Sequence, residues 1–231
     1  MRIKRVQIGN ATLFHGDSFD ILPKLGVKAD AVISDPPFGI TDCDWDKPVP
    51  LDLFWNMVDS CTKATANFVL FSCGKFTHAL YNSNPDWYRY DLVWQKSKKV
   101  GFLNANLQPM RNHESILVFN RPGFCRVATY HPQKSSGGRG AGIRTRNHRS
   151  SIYRDKGEYT HISDGMMHPC SVLPFKNETG QHPTQKPIAL MEFLVRSYSN
   201  EGDTVIDMFC GSGSTGVACT NTGRSFIGTS G

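Results

Sequence analysis

The chain has 231 residues, 26 Lys and Arg against 20 Asp and Glu, a formal net charge of +6 and 39% hydrophobic residues. That length can bury a sizeable core without staples, and the composition excludes a disordered chain, a collagen-like repeat and a disulfide scaffold. No apolar run approaches the ~18 residues of a bilayer span, and the N-terminal MRIKRVQIGN lacks the apolar stretch of a signal peptide, so a cytoplasmic protein without membrane contact is expected. Seven irregularly spaced cysteines with no C-x-x-C fit reduced thiols, and the paired short-spaced ligands of a zinc site are missing, so no metal is expected.

Short apolar runs recur along the chain: AVIS (31–34), FVLF (68–71), DLVW (91–94), SILVF (115–119) and TVIDMF (204–209). Each reads as a buried strand of a mostly parallel sheet. Helical patterns lie between them, over 51–66, 75–81, 187–198 and 214–222. In the first, Leu51, Phe54, Trp55 and Val58 fall on one face; in the third, Leu190, Phe193 and Leu194 point inward behind Pro187. Strands alternating with helices predict a doubly wound α/β fold, whose ligands sit beyond the carboxyl ends of the strands.

The first strand end carries Ser34-Asp35-Pro36-Pro37-Phe38. The prolines remove two backbone donors. What is left is rich in acceptors, the Asp35 carboxylate and the Pro36 carbonyl, beside the flat ring of Phe38. That suits a planar group with an NH2 that has two hydrogens to donate. On its own, the tetrapeptide reads as a proline-rich turn with an exposed Asp.

Residues 121–156 hold nine basic side chains and one acid, Asp155, leaving a slightly acidic remainder of 17 basic and 19 acidic residues. The segment includes SSGGRGAGIRTRNHRSS and lacks hydrophobic periodicity, so it reads as a solvated loop or as a polyanion-binding surface. Arg139, Arg144, Arg146 and Arg149 are its candidate DNA contacts, since the planar guanidinium suits phosphate and guanine. The alternation of elements breaks from about 121 to 175, which is taken as an insertion.

His182-Pro183-Thr184-Gln185-Lys186-Pro187 then leads into a helix, where the helix dipole and Lys186 favour a carboxylate and Thr184 also reads as a cap. After TVID comes Asp207-Met208-Phe209-Cys210-Gly211-Ser212-Gly213, opening the G-x-G-x-x-G of a nucleotide loop between a strand and a helix. A dinucleotide would call for an acid about 20 residues on. Thr229 and Ser230 occupy the next strand tip instead, and no further βαβ unit follows, so a ligand with one nucleoside fits better.

Together these motifs resemble the DNA amino-methyltransferases, and more narrowly their circularly permuted β group. There the D-P-P-[YF] tetrapeptide comes first, then the recognition insert, then H-P-T-x-K-P, then the F-x-G-x-G loop, the order seen here from Asp35 to Gly213. His15-Gly16-Asp17, Trp94-Gln95-Lys96 and His113-Glu114-Ser115-Ile116-Leu117 resemble that family's smaller marks. The resemblance covers nearly the whole chain outside 121–175. It implies a Rossmann-like methyltransferase fold with a catalytic half at 1–120, a basic target-recognition insert at 121–175 and a cofactor-binding half at 176–231. The implied reaction is site-specific methylation of adenine N6 in double-stranded DNA, with S-adenosyl-L-methionine as the donor and the base flipped out of the helix.

Asp35, Pro36, Pro37 and Phe38 would be catalytic by this resemblance. Asp17, His182, Thr184, Lys186, Asp207, Phe209, Gly211 and Gly213 would hold the cofactor, with Asp17 at its adenine and Thr184 and Lys186 at its carboxylate end. A cognate restriction endonuclease and a homodimer are left open. The family usually ends the strand after the loop in F-I-G-[IV]-[ED]; here it reads Phe226-Ile227-Gly228-Thr229-Ser230-Gly231, without that acid or the helix after it, which implies weaker cofactor binding. The alternatives are a cytosine-N4 enzyme, an RNA or protein amide methyltransferase, and an inactive DNA-binding relic. Cytosine-N4 enzymes tend to carry Ser in place of Asp35. Amide methyltransferases place the cofactor loop first and begin the tetrapeptide with Asn. Only the missing acid favours the relic.

Overall fold

The computed structural model describes residues 4–41, 43, 46–123, 128–148, 157–178 and 185–230. In chain order the first half runs β1 (Lys4–Ile8), β2 (Ala11–His15), a short α1 (Ser18–Ile21), β3 (Ala29–Ser34), α2 (Leu51–Cys61), β4 (Thr62–Ser72), α3 (Lys75–Ser83), β5 (Tyr88–Val100) and β6 (Arg111–Asn120). The second half runs β7 (Ser135–His148), β8 (Gly157–Met167), β9 (Val172–Pro174), α4 (Ile188–Tyr198), β10 (Thr204–Asp207), α5 (Ser214–Asn221) and β11 (Ser225–Ser230). All but β7 and β8 of these strands form one sheet in the order β1-β2-β11-β10-β3-β4-β6-β5-β9. From β2 to β4 every neighbour is parallel, and β9 is parallel to β5; the β1–β2, β4–β6 and β6–β5 pairs are antiparallel. The expected mostly parallel α/β sheet is present.

The strand runs are apolar without alternation because both faces of the sheet are covered. Successive side chains point to opposite faces. Ile33, Val69 and Phe71 therefore pack with Leu190 and Leu194 of α4 and Ala218 of α5. Val32, Phe68 and Leu70 pack with Phe54, Trp55 and Val58 of α2 and Leu80 of α3. Each buried Val, Leu, Ile or Phe among them contributes about 1.5–3 kcal/mol by leaving water. None of the helices among the described residues is long and apolar enough to cross a membrane.

The helix expected over 51–66 stops at Cys61, and Thr62 opens β4 in extended geometry. Helical spacing of apolar residues ends at Cys61, and Ala66 to Ser72 instead make a fully buried strand paired on both edges. Gly216 and Gly228 allow α5 to lie on β11: a methyl added at Gly216 would sit 2.9 Å from the Phe226 ring, and one at Gly228 2.6 Å from it.

Residues 132–170 form a separate compact unit, lying inside the 121–175 segment taken as an insertion, while β9 pairs with β5 in the main sheet. A structureless loop is not what this segment makes. β7 and β8 are an antiparallel hairpin, in register from Gly140↔Gly165 to His148↔Gly157. Its glycines disguise the strand in sequence but fit the close pairing, since a methyl added at Gly138 would sit 2.3 Å from the Gly165 carbonyl oxygen.

Candidate active site

β3, β10 and β11 run parallel, so their carboxyl ends meet on one edge. Asp35 leaves β3 there, Phe209 and Gly211 follow β10, and Asp35, Lys186, Asp207 and Phe209 line one pocket. The open space of that pocket is about 400 Å³, counting the solvent at its mouth.

The turn after Phe38 is held by a carboxylate. Asp46 accepts from the backbone N–H groups of Gly39 (2.8 Å), Ile40 (2.9 Å) and Thr41 (2.7 Å), and from the Thr41 hydroxyl at 2.7 Å. Burial opposes the Asp46 charge, but these four donors outweigh it and hold the carboxyl below its usual range. Gly39 has a φ of 67°, and a methyl there would meet the Pro48 ring at 2.4 Å. Phe38, partly buried, rests on Phe76 with ring centroids 5.4 Å apart.

Asp207 joins the two strand ends. Its Oδ1 accepts from the Ser34 hydroxyl at 2.5 Å and from the Phe209 N–H at 3.1 Å, and its Oδ2 from the Thr215 hydroxyl at 2.5 Å. Burial raises its pKa to about 6, and those donors limit the rise. Gly211 and Gly213 take φ values of 44° and 79°, a region costly for side chains; a methyl at Gly213 would stand in open space, and one at Gly211 would touch the Phe209 carbonyl oxygen at 3.8 Å. Gly213 precedes α5, whose first-turn N–H groups have no acceptor inside the helix.

Behind Asp35 lies a line of alternating charge. The Lys186 ammonium donates to Asp35 Oδ2 and lies 3.4 Å from Glu114 Oε2, while Lys96 donates to Glu114 Oε1. Lys186 also sits over the Phe71 ring, 4.9 Å from its centroid. Burial favours loss of its proton, but the two carboxylates prevail and raise its pKa. Burial pushes the Asp35 carboxyl up, Lys186 opposes it, and Glu114 adds to the rise. Asp35 Oδ1 is inaccessible to water and has no hydrogen-bond partner among the described residues.

Asp35, Lys186, Asp207, Phe209 and Gly211 thus come together, with Pro36, Pro37, Phe38 and Gly213 adjoining them in the chain. Lys186, expected at a cofactor carboxylate, is bonded to Asp35. Asp17 is exposed and caps α1, accepting from the Phe19 N–H at 2.8 Å. His182, Thr184 and Arg149 lie outside the described residues, as do the side chains of Arg139, Arg144 and Arg146, whose backbone belongs to β7. Sequence reasoning gave no role to Ser34, Asp46, Lys96, Glu114 or Thr215. The W-Q-K and H-E-S-I-L marks did contain Lys96 and Glu114, and those two charges flanking the expected strands 91–94 and 115–119 were the signal available.

The N6/N4 DNA methylase family model matches residues 29–230. The DNA adenine methyltransferase YhdJ of Escherichia coli (strain K12) is 27% identical across 94% of this chain and 77% of its own length. The type II methyltransferase M2.DpnII of Streptococcus pneumoniae is 51% identical over 49 residues, 21% of this chain and 18% of that protein. The type II methyltransferase M.HpaI of Haemophilus parainfluenzae is 26% identical across 86% of this chain and 63% of its own length. Among solved structures, the M1.HpyAVI–SAM complex is similar with a TM-score of 0.64 and 24% identity, covering 95% of this chain and 93% of that one. The cytosine-N4-specific PvuII DNA methyltransferase is similar at 0.66 with 16% identity, covering 97% and 83%. These two likenesses show the fold.

Proposed function

Because this chain belongs to the DNA methylase family, we propose that it moves a methyl group from S-adenosyl-L-methionine to adenine N6 of a flipped-out base in double-stranded DNA. One observation carries the reading: Asp35 lines the pocket of the glycine loop and has a buried carboxylate oxygen without a donor among the described residues. A buried acceptor left unpaired costs about 1–3 kcal/mol, and an amino group entering the pocket repays it.

The residues fit the donor molecule. Gly211 and Gly213 leave space for close approach to the backbone, and Asp207 and Phe209 flank it. That donor supplies a methyl group on a sulfonium leaving group. The Asp35 carboxylate accepts one amino hydrogen and the Pro36 carbonyl the other, which favours a more pyramidal nitrogen and frees its lone pair from the ring π system. Phe38 offers a face for the base, returning part of the few kcal/mol that unstacking costs. As the nitrogen attacks, positive charge grows on it, and the Asp35 carboxylate stabilises that charge. Lys186 and Glu114 hold the carboxylate in place.

Adenine is favoured over cytosine because the tetrapeptide begins with Asp35, and one relative matching most of this chain is named an adenine methyltransferase. The basic segment of 121–156 would supply the DNA surface. Relatives named type II methyltransferases favour a cognate restriction endonuclease as counterpart. The test is incubation of the purified protein with plasmid DNA and labelled donor, followed by nucleoside analysis and modification sequencing. N6-methyladenine at one sequence is expected; N4-methylcytosine alone, or transfer only to RNA, overturns the assignment.

A further inference from the structure

The β5–β6 hairpin extends past the edge that carries Asp35. Ser34, at the end of β3, lies opposite Leu70, and Ser72, at the end of β4, lies opposite Ser115 of β6, itself opposite Val93 of β5. Everything in residues 94–114 therefore continues beyond that edge, and the pairing resumes at Val100↔Arg111. The root of this arm contains Lys96 and Glu114, the outer half of the charge line behind Asp35.

Its tip is unlike the rest of the surface. Phe102 is 77% exposed, Leu103 96% and Leu107 86%, and Val100 is exposed beside them. Single exposed apolar side chains are common, but four on one hairpin tip need a partner to cover them. The flanks narrow the choice. Lys98 and Lys99 are exposed on the stem, Asn104, Asn106 and Gln108 are exposed around the tip, and no acid occurs between Asp91 and Glu114. An apolar tip on a cationic, acid-free stem matches a polyanion with a stacked apolar interior, which is duplex DNA.

We propose that this arm is a DNA wedge: Phe102 and Leu103 enter the base stack next to the target nucleotide, and Lys98 and Lys99 rest on the flanking phosphates. The inference rests on DNA being the substrate. It supplies what the pocket needs, because a base reaches Asp35 only after leaving the stack, and a side chain filling the vacated step offsets the lost stacking. The exposed amides are placed to meet base edges at the opened step.

A wedge unwinds DNA, so the test needs no knowledge of the recognition sequence. Closed circular plasmid is relaxed by a type I topoisomerase with the protein bound, then stripped of protein, and its topoisomers are resolved. The parent should leave negatively supercoiled product. Phe102→Ala/Leu103→Ala should lose that shift while still binding DNA by fluorescence anisotropy and melting at the parent temperature; Leu103→Met should keep it. A parent that leaves the linking number unchanged, or a double alanine variant that shifts it as far, overturns the wedge. So does sedimentation showing a parent dimer that the double variant dissociates, since the tip would then cover a second copy. Methyl transfer to the same plasmid is scored separately. Unwinding without transfer defeats the proposed reaction and leaves the wedge; transfer without unwinding does the reverse.

Discussion

Lys186 donates to only one oxygen of Asp35, and the other, Oδ1, has no partner among the described residues. The lysine thus fixes the carboxylate plane and supports its charge while leaving one oxygen uncommitted, the acceptor that the proposed reaction needs. Removing the carboxylate removes that acceptor but not the pocket wall built by α5 and β10. Asp35→Ala should lower kcat by at least about 100-fold, the scale of removing one electrostatic interaction made in the transition state. Calorimetric binding of S-adenosyl-L-methionine should be nearly unchanged. Full turnover would remove Asp35 from the chemistry.

Lys186 lies between two carboxylates, so Lys186→Met leaves Asp35 and Glu114 facing each other. Breaking a buried pair in this way costs about 3–5 kcal/mol. Lys186 now lowers the Asp35 pKa; without it the carboxyl ionises at higher pH. The acid limb of the kcat profile should therefore move upward in pH, and Lys186→Met/Glu114→Gln should bring it part of the way back. A limb that stays in place would show that Asp35 does not set it.

Asp207 makes a prediction about stability. Its folded pKa, raised from 3.8 to about 6 by burial, means the native state holds a proton that the unfolded chain releases. Between about pH 4 and 6 the native form binds more protons, so this group's contribution falls as pH rises through that window and stays low above it. A shift of that size is worth about 3 kcal/mol. Denaturant melts of the parent and Asp207→Asn should differ in pH slope across the window, with the asparagine flatter. Parallel curves would contradict the raised pKa.

Gly213 and Gly216 should fail differently. A methyl at Gly216 meets the Phe226 ring, an overpacking that costs about 1–3 kcal/mol, so Gly216→Ala should lower Tm. A methyl at Gly213 meets open space at a φ of 79°, so Gly213→Ala should cost about 1 kcal/mol in strain and weaken cofactor binding more than stability. Equal effects of both variants on Tm and on binding would remove the loop's distinct role.

The charge on the insert should appear in salt dependence. Neutralising Arg139, Arg144 and Arg146 together should flatten the slope of log K for DNA against log salt by up to ~0.9 for each phosphate no longer neutralised. An unchanged slope would place the phosphate-binding surface elsewhere, with Lys98 and Lys99 the next residues to neutralise.

Buried strands were readable from sequence because two covered faces demand uninterrupted apolar residues, as in 31–34 and 68–71. β1 was hidden for the opposite reason: all five of its residues are exposed, so KRVQI carries no core pattern. β7 was hidden by glycines whose value lies in cross-strand approach, which composition does not reveal. In the site, Asp35 and the glycine loop stand out as local motifs. The line from Asp35 through Lys186 and Glu114 to Lys96 does not, since it assembles from β3, β6, β5 and the entry to α4. Asp46 was passed over because an Asp in a loop is ordinary until its four donors are seen.

The hydrogen bond from Ser34 to Asp207 closes a loop of 173 residues. During synthesis, β3 emerges long before β10 exists to cover its second edge, and it waits with one row of peptide groups unpaired. Most of the chain is therefore made before either half of the pocket has its counterpart, and such long-range pairing is slow and exposed to aggregation. The cationic hairpin of 132–170 is also translated in that interval, ahead of β10. A nascent chain can thus carry its basic charge before it has a complete pocket, and it is the later arrival of β10 and β11 that completes the pocket.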